Sequence, residues 1–371
     1  MIDRTAVRPE TDSPGTESPP VSMLTQLGRF VASHSLIWVA AWILMLAVLP
    51  GILGARWTDV AVLVFIAVIG SVALNMVTGT AGQMSLGNAA LMAVGAYTAA
   101  GMTYANPGIP FIVTIIVAAA VTGIVGLLVA VPALRMSGLY LVMATLALQF
   151  IVQFAARKFQ LATVGEAGFQ MPRPSLFGFK LDSGNNWIYF TGVLAILALL
   201  GYRNLLRSKF GRAWLGIHHR EQAAEALGVN VSRYKFVAFG VSSMFIGLQG
   251  AVFGYYLYGV EVDTFTLALA ISYVAMIIIG GMGSPLGSLL GAIFVIALPY
   301  LVQDIIGSMS TEVPGVRLVH EHLFDVQKGL YGLAIIAFLL LEPSGLRGLV
   351  GRVSGGIRRL AAKRVSIEGE A

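Results

Sequence analysis

Few reactive groups are available for chemistry in this chain. None of its 371 residues is cysteine, so disulfides, thiol catalysis and Cys-based metal sites are excluded. His320 and His322 flank Glu321 a short way before Asp325. Histidines at i and i+2 do not share a helix face, and no fourth ligand is fixed, so no metal is expected there. His218-His219 reads as a solvated pair. The pattern GxxxxGK[ST] does not occur, so the chain does not bind and split ATP by that route. No nucleophile, base and acid stand together either, so no catalytic residue and no cofactor are assigned.

What remains is neutral hydrogen-bonding chemistry set among glycines. The stretch NMVTGTAGQMSLGNAALMAVGAYTAAG, Asn75 to Gly101, carries Asn75, Thr78, Thr80, Gln83, Ser85 and Asn88 beside Gly79, Gly82, Gly87, Gly95 and Gly101. Its GTAGQ turn can break a helix. At membrane depth, broken helices are tolerated only where protein or a water-filled cavity satisfies the backbone. Their free N–H groups then suit carboxylates. Small residues also let helices pack closely with no solute involved. Both readings stay open. A second break, GGMGSPLGSLLG from Gly280 to Gly291, loosely resembles the first, as two halves of a repeat would.

These residues need a frame, and composition says which. The chain is 57% hydrophobic and 11% charged, with a mean hydropathy of +0.82. A soluble domain carries about 25% charged residues. The fold class is therefore all-α, a polytopic membrane protein. About 20 apolar residues are needed per helical span. Ten spans are expected, at 36–53, 58–78, 85–103, 109–131, 138–154, 187–201, 236–258, 266–282, 286–306 and 328–342. Residues 1–34 read as a disordered tail, 35–345 as the membrane domain and 346–371 as a basic tail. Met1 to Ser22 lacks the order of a cleavable signal peptide.

The most charged interior stretch, Tyr202 to Lys235, holds seven of the 24 Lys and Arg residues against only Glu221 and Glu225. Trp214, Ile217, Ala224 and Leu227 are spaced as an apolar stripe on a short helix, and Gly228 reads as a helix stop. A docking knob and an ordinary solvated loop both fit. Basic residues mark cytoplasmic loops, so 202–235 and both termini are placed inside, with 155–186 outside. The latter carries Arg157, Lys158, Arg173 and Lys180, a mismatch with that bias. The net charge of +6 is explained by topology and headgroups, and no nucleic-acid partner is expected. The Tyr255-Tyr256-Tyr258 cluster reads as an aromatic belt near the outer interface.

No Asp, Glu, Lys or Arg occurs in Val60 to Leu134, Phe236 to Val260 or Thr264 to Gln303. Proton-coupled carriers place ionisable groups at the midplane, so a proton-driven carrier is disfavoured. Sodium coupling through backbone carbonyls stays open. The energy source is expected outside this chain.

The first glycine stretch resembles the signature of bacterial branched-chain amino acid ABC transporter permeases, the LivM-like family. The likeness continues through GLYLVMATLAL (138–148), MPRPSLFG (171–178), residues 211–254, IIIGGMGSPLGSLLGA (277–292) and LEPSGLRGL (341–349). Such a resemblance implies the permease subunit of an ABC importer in the bacterial inner membrane. It would move branched-chain amino acids or a related small solute by alternating access. The implied partners are a second permease subunit, two ABC ATPase subunits and a periplasmic substrate-binding protein, the last facing 155–186. The family's cytoplasmic coupling helix carries an EAA-x3-G pattern. Here Gln222, Ala223, Ala224 and Gly228 align with it, Gln222 standing where the family has Glu and Glu225 lying next to the pair. The same resemblance implies a translocation path lined by Asn75, Gly79, Gly82, Gln83, Ser85 and Asn88. Within the class, urea, short-amide, other small-carboxylate and ribose-type sugar permeases are alternatives. A stand-alone secondary carrier is the rival outside it, and a membrane enzyme a more distant one.

Overall fold

The computed structural model describes residues 48–134, 136, 138–176 and 179–307, with single positions at 42, 45, 46, 329, 332, 333, 336, 345, 346 and 348. Residues 1–48 and 49–371 form two units, and everything below concerns the second. The N-terminal tail, nearly all of the C-terminal tail, most of the last expected span, half of the first and the His320/His322 group lie outside the described residues.

Among the described residues from Ala55 to Gly307, ten helices follow one another: α1 (Ala55–Leu74), α2 (Asn88–Ala105), α3 (Phe111–Ala133), α4 (Leu139–Thr163), α5 (Gly184–Arg207), α6 (Lys209–His219), α7 (Glu221–Ala226), α8 (Val231–Tyr256), α9 (Leu267–Gly280) and α10 (Pro285–Gly307). A π-helical turn, Asn75–Thr80, prolongs α1. Helix starts obey local rules. Side chains of Ser183, Ser208, Asn230 and Thr266 accept the first free N–H groups of α5, α6, α8 and α9. Pro285 opens α10, where its missing N–H costs nothing.

Seven described helices are long and apolar enough to cross a membrane. They correspond to seven of the ten expected spans. The 85–103 span is a helix, α2, but its 18 residues carry too much Gly, Thr, Tyr and Asn to count among the seven. The π turn extends α1 to Thr80, and 89% of that span's apolar window is buried, against 22% for α4. α1 is thus the central helix, wrapped by α5, α8 and α10, while α4 lies on the outside of the bundle.

α8 is the other hub, packed on α3 and α2. Glycine sets that approach. A Cβ on Gly95 would overlap the Gly247 backbone, and one on Gly250 would overlap Met92 O. Backbones in direct contact leave no room for side chains.

At one end of the bundle, β1 (Phe169–Gln170) pairs antiparallel with β4 (Gly259–Val260) in the register Phe169↔Val260, and β2 (Ser175–Leu176) pairs with β3 (Phe179–Lys180). Tyr255 does not join an aromatic belt. It is 2% exposed, its hydroxyl 2.8 Å from both Thr103 Oγ1 and Thr114 Oγ1, with the Phe111 ring 4.6 Å away. Buried hydroxyl partners are the reason. Tyr256 stays half-buried and donates to Asp59 Oδ1 at 3.0 Å. Asp304 pairs with Arg56 at this same end.

Candidate functional site

The two glycine breaks, more than 200 residues apart, meet at one side chain. Asn75 is fully buried and donates Nδ2 to Ser284 O (3.1 Å) and Ser288 Oγ (2.8 Å). Its Oδ1 accepts from the Gly283 N–H at 2.7 Å. The breaks touch through backbone as well: a Cβ on Gly283 would come 3.1 Å from Gly79 O, and Gly283 has φ +73. Gly79 must be as small, because a Cβ there would overlap Asn75 Oδ1. Gly82, at φ +71, turns the chain back towards α2.

A third element joins them. Tyr202, fully buried near the end of α5, donates to Asn75 O at 3.3 Å and lies 2.6 Å from Thr80 Oγ1. Beneath the turn, a Cβ on Gly82 would come 2.9 Å from His218 Nδ1. His218 is exposed, as expected, yet it seats the break. Both breaks therefore lie at the bundle end that carries α6 and α7, opposite the β-strands.

The remaining polar residues of the first break differ from Asn75. Gln83 is 3% exposed and Asn88 1%, and neither end of either side-chain amide has a partner. Ser85 is buried and accepts from the Gly87 N–H at 3.3 Å. Ser85 and Asn88 line a small cavity of about 10 Å³ with Leu74, Val77, Leu91, Phe239, Ser242, Ser243 and Ile246. That is room for about one water. Gln83 is not part of its lining.

The 202–235 stretch folds as an arm. Trp214 is fully buried, donates Nε1 to Tyr234 O at 2.8 Å and packs in a core with Val77, Ala81 and Phe239. Helix α7 ends where Gly228 takes φ +81. Gly228 N–H donates to Glu225 O (2.9 Å) and Val229 N–H to Ala224 O (3.0 Å), the paired bonds of a Schellman stop. Ala224 is buried against Ile217 and Val231, while Gln222, Ala223, Glu225 and Gly228 are exposed. Lys235 Nζ, in a side chain 10% exposed, reaches Glu221 Oε1 at 2.7 Å and pins α7 to α8. Leu227 breaks the expected stripe. It is 85% exposed, because the helix stop turns it out to the tip of the arm.

An exposed helical knob is thus seated against the first of two joined glycine breaks on a polytopic bundle. The family model for the branched-chain amino acid transport system permease component matches residues 56–339. The chain belongs to that permease family. It is similar to the high-affinity branched-chain amino acid transport permease LivM of Escherichia coli K12, 30% identical over 311 residues, 77% of this chain and 73% of that protein. It is 28% identical to LivM of Salmonella typhimurium over 72% of this chain and 68% of the relative. Over 41% of the chain it is 25% identical to the nucleoside ABC transporter permease NupC of Lactococcus lactis, covering 48% of that protein. No solved structure matches it significantly. It is a permease subunit of an ABC importer and a multi-pass membrane protein.

At the opposite end, the permease has a polar pocket of about 120 Å³ lined by Arg157, Gln160, Leu161, Glu166, Glu261, Val262 and Asp263. Sequence reasoning missed the ties of Tyr202, Ser284, Ser288 and His218 to the first break, and the exposed Leu227. Only Leu227 left a trace in the sequence, as the one member of the stripe directly before the helix stop.

Proposed function

We propose that this permease moves a small zwitterionic amino acid, of the branched-chain class, inward across the bacterial inner membrane. Power comes from two ATPase subunits that dock on the α6–α7 arm. A second permease subunit and a periplasmic binding protein complete the assembly, the binding protein meeting the strand-bearing end. Both termini and the arm are cytoplasmic. Gln222, Ala223, Glu225 and Gly228 form the docking face, Leu227 is its apolar anchor, and Ala224 holds the knob together from inside. Asn75, Gly79, Gly82, Gln83, Ser85 and Asn88 make the inner part of the path.

The observation that carries this reading is the arm's position. Its tip is exposed, while its base reaches the first break through Tyr202, Trp214 and His218. Force applied at the tip therefore reaches the path through packed side chains. The basic residues of the arm support its cytoplasmic placement.

Co-purification from native membranes in mild detergent tests the assembly, with wild type and Gly228→Trp compared side by side. A Cβ at Gly228 meets open space, so no internal clash arises. The indole instead adds bulk at the docking tip and strains a left-handed residue. The expected outcome is an ATPase and a second permease with wild type, and loss of the ATPase with the variant. A chain recovered alone that still transports without ATP would establish a secondary carrier. A labelled-solute panel of leucine, urea, short amides, a small carboxylate, ribose and a nucleoside then fixes the cargo.

A further inference from the structure

We propose that the Asn88 cavity is the closed inner end of the solute path, a hydrogen-bonding passage between α2 and α8 that takes the head group of a zwitterion when it opens. This rests on the importer reading above.

The first ground is an imbalance among the amides of one break. Asn75 spends all its side-chain hydrogen-bonding atoms inside the protein. Asn88 is just as deeply buried and spends none. An unpaired buried polar group destabilises the fold, a cost that an apolar residue of similar size avoids. Ser243, fully buried on the facing helix, also has an unpartnered hydroxyl, lodged against Gly126 of α3. Groups kept polar at a cost in the resting fold point to a partner met in another state.

Position is the second ground. Val77 and Phe239 line the cavity and also belong to the core that holds Trp214 of the arm. Movement of the arm therefore reaches this cavity through direct packing. Farther along the same two helices, Gly95 meets Gly247 and Gly250 meets Met92, backbone on backbone. That contact can act as a pivot while the helices part at the polar end.

Chemistry names the occupant. Amides and hydroxyls both donate and accept. Asn88 and Ser85 can thus meet an ammonium and a carboxylate together, with Ser242, which donates to Ala73 O at 2.7 Å, left as an acceptor, in helices that carry no charge within 60–134 or 236–260. At about 10 Å³ the cavity cannot hold an amino acid, so this conformation is shut.

The natural absence of cysteine makes the test direct. Asn88→Cys and Ala251→Cys are placed singly in the full importer complex, reconstituted in liposomes with a small charged methanethiosulfonate reagent. Ala251 is fully buried one residue beyond the glycine contact. The expected result is protection of both at rest, at least tenfold faster modification of Asn88→Cys during ATP turnover, and lasting protection of Ala251→Cys. In parallel, Asn88→Leu should cut uptake at least tenfold, with an unchanged or raised melting midpoint and unchanged ATPase co-purification. Protection of Asn88→Cys throughout turnover would overturn the proposal, as would wild-type uptake by Asn88→Leu. A lowered midpoint in Asn88→Leu would also overturn it, marking Asn88 as a packing residue. Failure of the wild-type complex to take up any amino acid would instead sink the solute assignment, while the labelling pattern would still report whether the seam opens.

Discussion

At the scale of single residues, Asn75 and Asn88 show how little residue type says about role. Both are buried asparagines thirteen positions apart in one glycine-rich stretch. Asn75 staples the two breaks through Gly283, Ser284 and Ser288, which no local pattern reveals because its partners lie over 200 residues downstream. Asn75→Ala should therefore destabilise the protein. It takes one donor from Ser288 Oγ, which keeps its bonds to Ser71 O and Ser284 O, and strands the half-buried Gly283 N–H, at about 1–3 kcal/mol for the group left unpaired. Thermal unfolding in detergent, followed by intrinsic tryptophan fluorescence, should show a clear fall in midpoint. An unchanged midpoint would mean that the breaks are held by backbone packing alone.

At the scale of elements, the arm was the most legible part of the chain. Charge density set it apart, apolar spacing indicated its buried face, and Gly228 marked its end. The structure confirms Trp214, Ile217 and Ala224 as inward-facing and Gly228 as a left-handed stop. It differs at Leu227, where the Schellman turn redirects the chain and overrides helical periodicity. An apolar side chain 85% exposed at the tip of a polar knob is costly in water and well suited to a partner groove. Leu227→Ser should leave folding and membrane insertion unchanged, since the side chain makes no buried contact. It should weaken ATPase retention on an affinity column by about tenfold, the loss of about 1.4 kcal/mol. Full retention would move the docking anchor elsewhere.

For the whole molecule, the decisive arrangement is polarity along the bundle. One end gathers the β-strand pairs, the Arg56–Asp304 pair and the mixed-charge pocket. The other gathers both glycine breaks and the arm. Between them the described spans carry almost no ionisable side chain, so there is little for a proton to occupy on its way across. Uptake by the reconstituted assembly should therefore require ATP and persist when protonophore and sodium ionophore collapse the gradients. Uptake abolished by either ionophore, with ATP still present, would return the chain to the class of ion-coupled carriers.

The sequence by itself determined the properties that add up along the chain: membrane residence, helical spans, the charge-free interior, the basic arm and its glycine stop. These depend on local composition and spacing, which a linear reading sees. Tertiary structure alone decided which polar residues are spent and which are free, that both breaks converge on Asn75, that Tyr255 is core, and that Leu227 is exposed. Leu227 is turned out by the local stop at Gly228, but each of the others depends on helix packing that brings distant parts of the chain together. No spacing within one segment encodes such a meeting.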